Sequence, residues 1–445
     1  MKTPKIAVLA RLAGAIAAIL SPAAALAAGA ATPPLKIDTG DTAWVLTSAA
    51  LVLLMTPGLA FFYGGLVRRK NVLSLLMQCF AALCVISVQW VLFGYSLAFG
   101  PDWKGISGTL EWAGLAGVGS APNPDYSATI PHSAFMIFQA MFSVITPGLI
   151  IGAFAERMKF TSFLVFSLFW STLVYDPVCH WVWGMGGFLR GAGVLDFAGG
   201  MVVHINAGFA ALAAALVMGK RLGYPKRISP PHSLPLAVLG AGLLWFGWFG
   251  FNAGSALGAN GLAAGAFVAT NTAGAAAGLG WAILDRFFAK RPTVLGMITG
   301  AVAGLAAVTP AAGFVTPMGA MWIGLIAAGI CYVAVSFMKA RLGYDDSLDA
   351  FGVHGIGGAW GTLAAGLWAS KAVNPAGADG LFYGGSGLFL VQLKAVAITG
   401  AYSFVATLVL LKLIDFAMGL RVSQMDEQIG LDLTQHREAG YTTLE

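Results

Sequence analysis

From residue 43 onward the chain is a succession of long apolar runs, parted by short polar connections. Eleven runs can be traced, at roughly 43–66, 71–99, 134–154, 160–181, 198–219, 234–257, 262–285, 293–311, 314–338, 350–369 and 385–413. Each is close to or above the ~20 residues an α-helix needs to cross a bilayer. The apolar positions are continuous rather than alternating, which predicts helices and not the strands of a β-barrel. The expected fold class is therefore all-α integral membrane, with eleven transmembrane helices.

The polar connections set the orientation. Those on one side hold Arg68, Arg69, Lys70, Arg157, Lys159, Lys220, Arg221, Lys226, Arg227, Arg286, Lys290, Arg291, Lys339 and Arg341. The other side holds Lys36, Lys104, Arg190 and Lys371. This split of 14 to 4 places the N-terminus outside and the C-terminus inside the cytoplasm. A missed helix would scramble the alternation.

Residues 1–27 read as a cleaved signal peptide. Lys2, Lys5 and Arg11 form the charged region, Leu12 to Leu20 the apolar stretch, and Ala25-Leu26-Ala27 the cleavage site. The apolar stretch is short for a span. The expected organisation is a signal peptide 1–27, a membrane domain 28–420 and a cytoplasmic tail 421–445. The tail carries Asp426, Glu427, Asp432 and Glu438 and reads as solvated, or as a docking element.

Composition sharpens the class. Of 445 residues 10% are charged, against about 25% in a soluble domain. That excludes a soluble multidomain enzyme and a disordered chain. The formal charge of +6 sits between apolar runs and points to orientation, not to nucleic acid. The partner it does imply is the lipid bilayer. Cys79, Cys84, Cys179 and Cys331 have no metal or redox spacing and read as small buried apolar residues. With 59 glycines the spans can pack closely, which favours a narrow pore and a small substrate.

Ionisable groups inside a bilayer are costly and mark function by default. His204 lies in the fifth span and His354 in the tenth, each a few residues after an aspartate, Asp196 and Asp349. Five spans separate them, so their helices run in opposite directions. An inverted repeat of five helices would bring both imidazoles to the centre. The plainer reading is two separate structural histidines. Zinc is disfavoured, since no third or fourth ligand is at hand. His132, His180, His232 and His436 read as ordinary. Asp196 and Asp349 read equally as helix caps. Lys394, inside the eleventh span, reads as snorkelling to the interface.

Aromatics form a second constellation. Trp248, Phe251 and Ser255 share one helix face at i, i+3 and i+7. Phe138 and Phe142 are at i and i+4, and Trp181 and Trp183 close the fourth span. Such residues are usually packing or interfacial anchors. Beside a hydroxyl and an external carboxylate they can also hold a small cation.

These segments resemble the Amt/Mep/Rh ammonium transporter family, most nearly its bacterial Amt branch, over nearly the whole mature chain. The matching stretches are Phe61-Phe-Tyr-Gly-Gly-Leu-Val-Arg68 with Lys70-Asn-Val-Leu, and Phe138-Gln-Ala-Met-Phe142-Ser-Val-Ile-Thr146-Pro. They continue with Gly152-Ala-Phe-Ala-Glu-Arg157, Asp196-Phe-Ala-Gly-Gly-Met-Val-Val-His204, Phe251-Asn-Ala-Gly-Ser255 and Asp345-Asp-Ser-Leu-Asp349-Ala-Phe-Gly-Val-His354. The resemblance implies a homotrimer in the bacterial cytoplasmic (inner) membrane, with one pore per subunit and no cofactor. It implies an external ammonium site at Trp183, Phe142 and Ser255, supported by Asp196. It implies a gate of Phe142 and Phe251, a pore pair of His204 and His354, and Trp248 as a lining aromatic. The tail from Gly419 to Tyr441 is similar to the segment that binds PII signalling proteins, with a weaker match at 423–428 and after Arg437. The expected activity is recruitment of ammonium, its deprotonation, and conduction of ammonia with a separately moved proton. An ammonium sensor, a neutral gas channel of the Rh type and a membrane enzyme are the alternatives.

Overall fold

The computed structural model describes residues 36–226 and 230–441. The expected signal peptide lies outside them. Its membrane helices, in chain order, are α1 (Thr39–Leu66), α2 (Arg69–Phe99), α3 (His132–Phe154), α4 (Phe160–Gly191, bending after Trp183), α5 (Gly200–Met218), α6 (Leu234–Gly254) and α7 (Gly261–Phe288). They continue with α8 (Val294–Val308), α9 (Pro317–Leu342), α10 (a π-helical turn Phe351–Gly355 running on as Ile356–Trp368) and α11 (Leu388–Met418). Among the described residues nine are long and apolar enough to cross a membrane. The two shorter ones, α8 and α10, complete the eleven expected. α8 has only 15 residues, and α10 is diluted by glycine and His354.

The inverted repeat is legible at its fifth members. Asp196 and Asp346, His204 and His354, Gly208 and Gly358 are each 150 positions apart. Both α5 and α10 open with a π-helical turn that carries the histidine. The first amides of a buried helix need acceptors. Asp196 takes four of them, from Gly199, Gly200, Met201 and Val202, at 2.8, 2.6, 2.7 and 3.2 Å. Asp346 takes those of Ala350 and Phe351 at 3.1 and 2.8 Å. This corrects the cap expected at Asp349. That residue sits where the first repeat has Gly199, in the same left-handed region (φ 63° against 111°), and its carboxylate pairs with Lys339.

Small residues then let α5 and α10 cross at backbone contact. A Cβ on Gly208 would lie 2.0 Å from the amide nitrogen of Gly355. One on Gly361 would lie 1.9 Å from the carbonyl oxygen of Ala307 in α8. The crossing holds both histidines in the middle of the bundle.

Outside, a two-stranded hairpin, β1 (Asp102–Trp103) with β2 (Ser107–Gly108), is tied to α4. His180 Nε2 lies 2.9 Å from Asp102 Oδ1, and its Nδ1 lies 3.0 Å from the Ala98 carbonyl. Tyr95 Oη lies 2.6 Å from His132 Nε2. These two histidines are structural.

The described part of the cytoplasmic tail, 421–441, packs on the bundle at several points. Glu427 is buried; it accepts from the Leu222 amide at 2.8 Å and from Arg421 at 2.7 Å. Asp432 accepts from the Ser74 amide at 2.8 Å, and Leu431 donates to Asn71 at 2.8 Å. Beside the tail, Arg221 forms a two-pronged pair with Asp345 at 3.0 and 2.9 Å. Burial alone would raise the Asp345 carboxyl. The hydrogen bonds and charge of Arg221, with Arg157, outweigh it and hold the group below the usual carboxylate range. A depressed pKa contributes stability above the unfolded value near 4, lost as pH falls through the folded one. Asp345→Asn should therefore lower the melting temperature at neutral pH, because it removes the charge that pairs with Arg221. Thermal unfolding of wild type and variant should converge as the pH is taken below about 4.

Candidate functional site

Three chambers follow one another through the bundle, the first two parted by Phe142 and Phe251 and the last two meeting at His354. The outer vestibule, about 240 Å³, is lined by Trp183, Ser255, Asp196, Asp125, Arg190 and Gln139, with aromatic walls from Phe99, Tyr126 and Phe135. Trp183 is pinned by its indole N–H, which donates to the Asp196 carbonyl at 2.8 Å. Its own carbonyl accepts from Arg190. Ser255 Oγ donates to the Phe251 carbonyl at 2.9 Å, which leaves its lone pairs free to accept.

The vestibule floor is aromatic. Phe142 meets Trp183 edge-on at 5.8 Å and lies against Phe251 with centroids 4.4 Å apart. Both phenylalanines are fully buried. No hydrated ion fits through two rings in contact.

Below the rings is a cavity of about 10 Å³, lined by Phe251, Trp248, His204 and His354. That is room for one water-sized molecule. The imidazoles of His204 and His354 stack at 5.3 Å, inclined by 16°. His204 also stacks on Trp248 at 5.5 Å and on Phe251 at 6.0 Å. Trp248 is held by its N–H, which donates to Thr309 at 2.9 Å. Among the described residues, neither nitrogen of His204 nor Nδ1 of His354 has a hydrogen-bond partner. Buried polar atoms are nearly always paired. His132 and His180 follow that rule; the central pair does not.

Past His354 a wide chamber of about 820 Å³ opens towards the cytoplasmic end, lined by Tyr63, Arg221, Lys339 and Asp349 among others.

The structure thus brings together the site residues that the resemblance implied: Trp183, Phe142, Ser255 and Asp196 above, Phe251 at the rings, and Trp248, His204 and His354 below. Asp196 lines the vestibule, but its carboxylate is committed to backbone amides, so it shapes the helix start rather than offering a free charge. Sequence reasoning passed over Thr309, Arg190, Gln139 and Asp346. Only Asp346 had a signal, the eight-residue spacing to its histidine that Asp196 also shows.

A polytopic bundle with an aromatic vestibule, a closed ring gate and a narrow, largely apolar passage defines a membrane transporter for a very small solute. The family model described as Ammonium Transporter Family matches residues 43–441. An ammonium transporter of Bacillus subtilis is 54% identical over 405 residues, 91% of this chain and 99% of that one. Ammonium transporter Amt1 of Archaeoglobus fulgidus is 49% identical over 91% of this chain and 100% of its own. Among solved structures, Candida albicans Mep2 superposes with a TM-score of 0.83 at 36% identity, covering 88% of each chain. The chain belongs to the ammonium transporter family, a family of transporters and not of enzymes.

Proposed function

We propose that the protein recruits ammonium in the outer vestibule, deprotonates it and conducts ammonia past His204 and His354, the released proton being taken up by an imidazole nitrogen and passed on separately. One observation carries this reading: two stacked, buried imidazoles with unpartnered nitrogens border a cavity sized for a single small molecule.

Energetics favour the split. Trp183 and Phe142 offer cation–π attraction of roughly 0.5–2 kcal/mol, and Ser255 accepts an N–H. An intact cation in the dry passage would cost several kcal/mol in lost hydration. Ammonia carries no charge and avoids that cost. Potassium matches ammonium in charge and size but has no proton to give up. The imidazoles can each donate or accept, so they suit both a proton and an ammonia molecule.

The same reading includes residues 1–27 as a cleaved leader, a membrane domain 28–420 and a tail 421–445. It also includes assembly as a homotrimer in a bacterial inner membrane, and recognition of the tail by a PII-type signalling protein. The family resemblance supports the trimer and the tail partner, and the charged, apolar and Ala25-Leu26-Ala27 pattern supports the leader.

The test is a solid-supported membrane recording on proteoliposomes. An ammonium pulse should evoke a current and an equal potassium pulse none. No current, with the lumen still turning alkaline faster than in protein-free liposomes, would replace the reading with neutral ammonia passage.

A further inference from the structure

α3 carries Phe135, Gln139 and Phe142 at i, i+4 and i+7, on one helical stripe. Phe135 and Gln139 line the vestibule with Trp183 and Ser255, and Phe142 is half of the ring gate. Gln139 therefore sits between rim and gate, about 4.5 Å along the axis from Phe142. It is 8% exposed, and its side-chain oxygen has no hydrogen-bond partner among the described residues. Turning the amide end over exchanges its oxygen and nitrogen at nearly constant shape, so either can face an occupant.

The other polar groups of the vestibule are largely spoken for. Asp196 is bound to four amides, and Arg190 is a cation. Asp125 is exposed in the external loop. Ser255 supplies one acceptor at the floor, and the walls are mostly aromatic.

We propose that Gln139 is a specificity-determining ligand of the vestibule, its carboxamide oxygen accepting an N–H of the incoming ammonium alongside Ser255. The proposal rests on the reading of this vestibule as the ammonium-recruiting site. Two oxygens in fixed places match two N–H directions of a tetrahedral donor. Potassium needs a surrounding set of oxygens to replace its hydration shell, and two among aromatic rings do not supply it. Hydrogen bonds to a charged group are among the stronger ones, about tenfold or more in binding.

The experiment compares ammonium-evoked currents of reconstituted wild type, Gln139→Leu, Gln139→Glu and Ser255→Ala over a range of ammonium concentrations. Gln139→Leu should raise the apparent KM about tenfold and lower the maximal current much less. Gln139→Glu keeps an acceptor oxygen and should hold KM at or below the wild-type value. Should Gln139→Leu not yield folded protein, Gln139→Met takes its place with the same expectation. An unchanged KM in the apolar variant, with a raised KM in Ser255→Ala, would overturn the role of Gln139 and leave the vestibule reading standing. A raised KM in Gln139→Glu would overturn it too. Unchanged KM in both the apolar variant and Ser255→Ala would overturn the vestibule reading itself.

Discussion

Gly208→Ala is expected to destabilise the protein by about 3 kcal/mol or more and to abolish uptake. The added methyl would sit 2.0 Å from a backbone nitrogen and 2.2 Å from a Cα, both of Gly355. Backbone cannot swing aside as a long side chain can, so α5 and α10 would have to separate. Their separation would part His204 from His354 and open the dry passage. Gly242→Ala is the matched control: it is mid-helix in α6, and its new Cβ meets nothing within 4 Å. By helix propensity that change is neutral to slightly stabilising. Thermal unfolding of the two variants in detergent, with uptake in liposomes, separates them. Equal melting temperatures would contradict backbone contact between α5 and α10 at Gly208.

Much of this arrangement was readable from the chain. Eleven apolar runs, the basic connections and the i, i+3, i+7 stripe of Trp248, Phe251 and Ser255 depend only on hydrophobicity and the helical period. The two histidines stood out because ionisable groups are rare in spans. The rest needed coordinates. Asp345, Asp346 and Asp349 are near neighbours in sequence, and only backbone geometry decides their partners. Asp345 pairs with Arg221, Asp346 caps α10 and Asp349 pairs with Lys339. The tail read as solvated because nothing local marks a contact such as Glu427 with the Leu222 amide, 205 residues away. Gln139 and Thr309 were hidden for another reason. A span buried on most sides has no polar face, so one amide or hydroxyl does not register as a pattern.

The second large effect concerns the histidine pair. His204→Ala with His354→Ala removes both groups able to hand on a proton within the passage, and the side chains that fill it. Residues that transfer protons commonly contribute 10²–10⁴-fold to a rate. If charge crosses by way of these rings, ammonium-evoked current should fall by tenfold or more. If water enters the enlarged passage, potassium should begin to pass. Either change would lower the ratio of ammonium-evoked to potassium-evoked current.

The most direct measurement is therefore the ratio of ammonium-evoked to potassium-evoked current on a solid-supported membrane, in wild type and in the double variant. The account predicts current with ammonium alone in wild type, and a ratio lowered at least tenfold in the variant. A double variant with wild-type ammonium current and no potassium current would contradict it, because the proton would then cross without either imidazole.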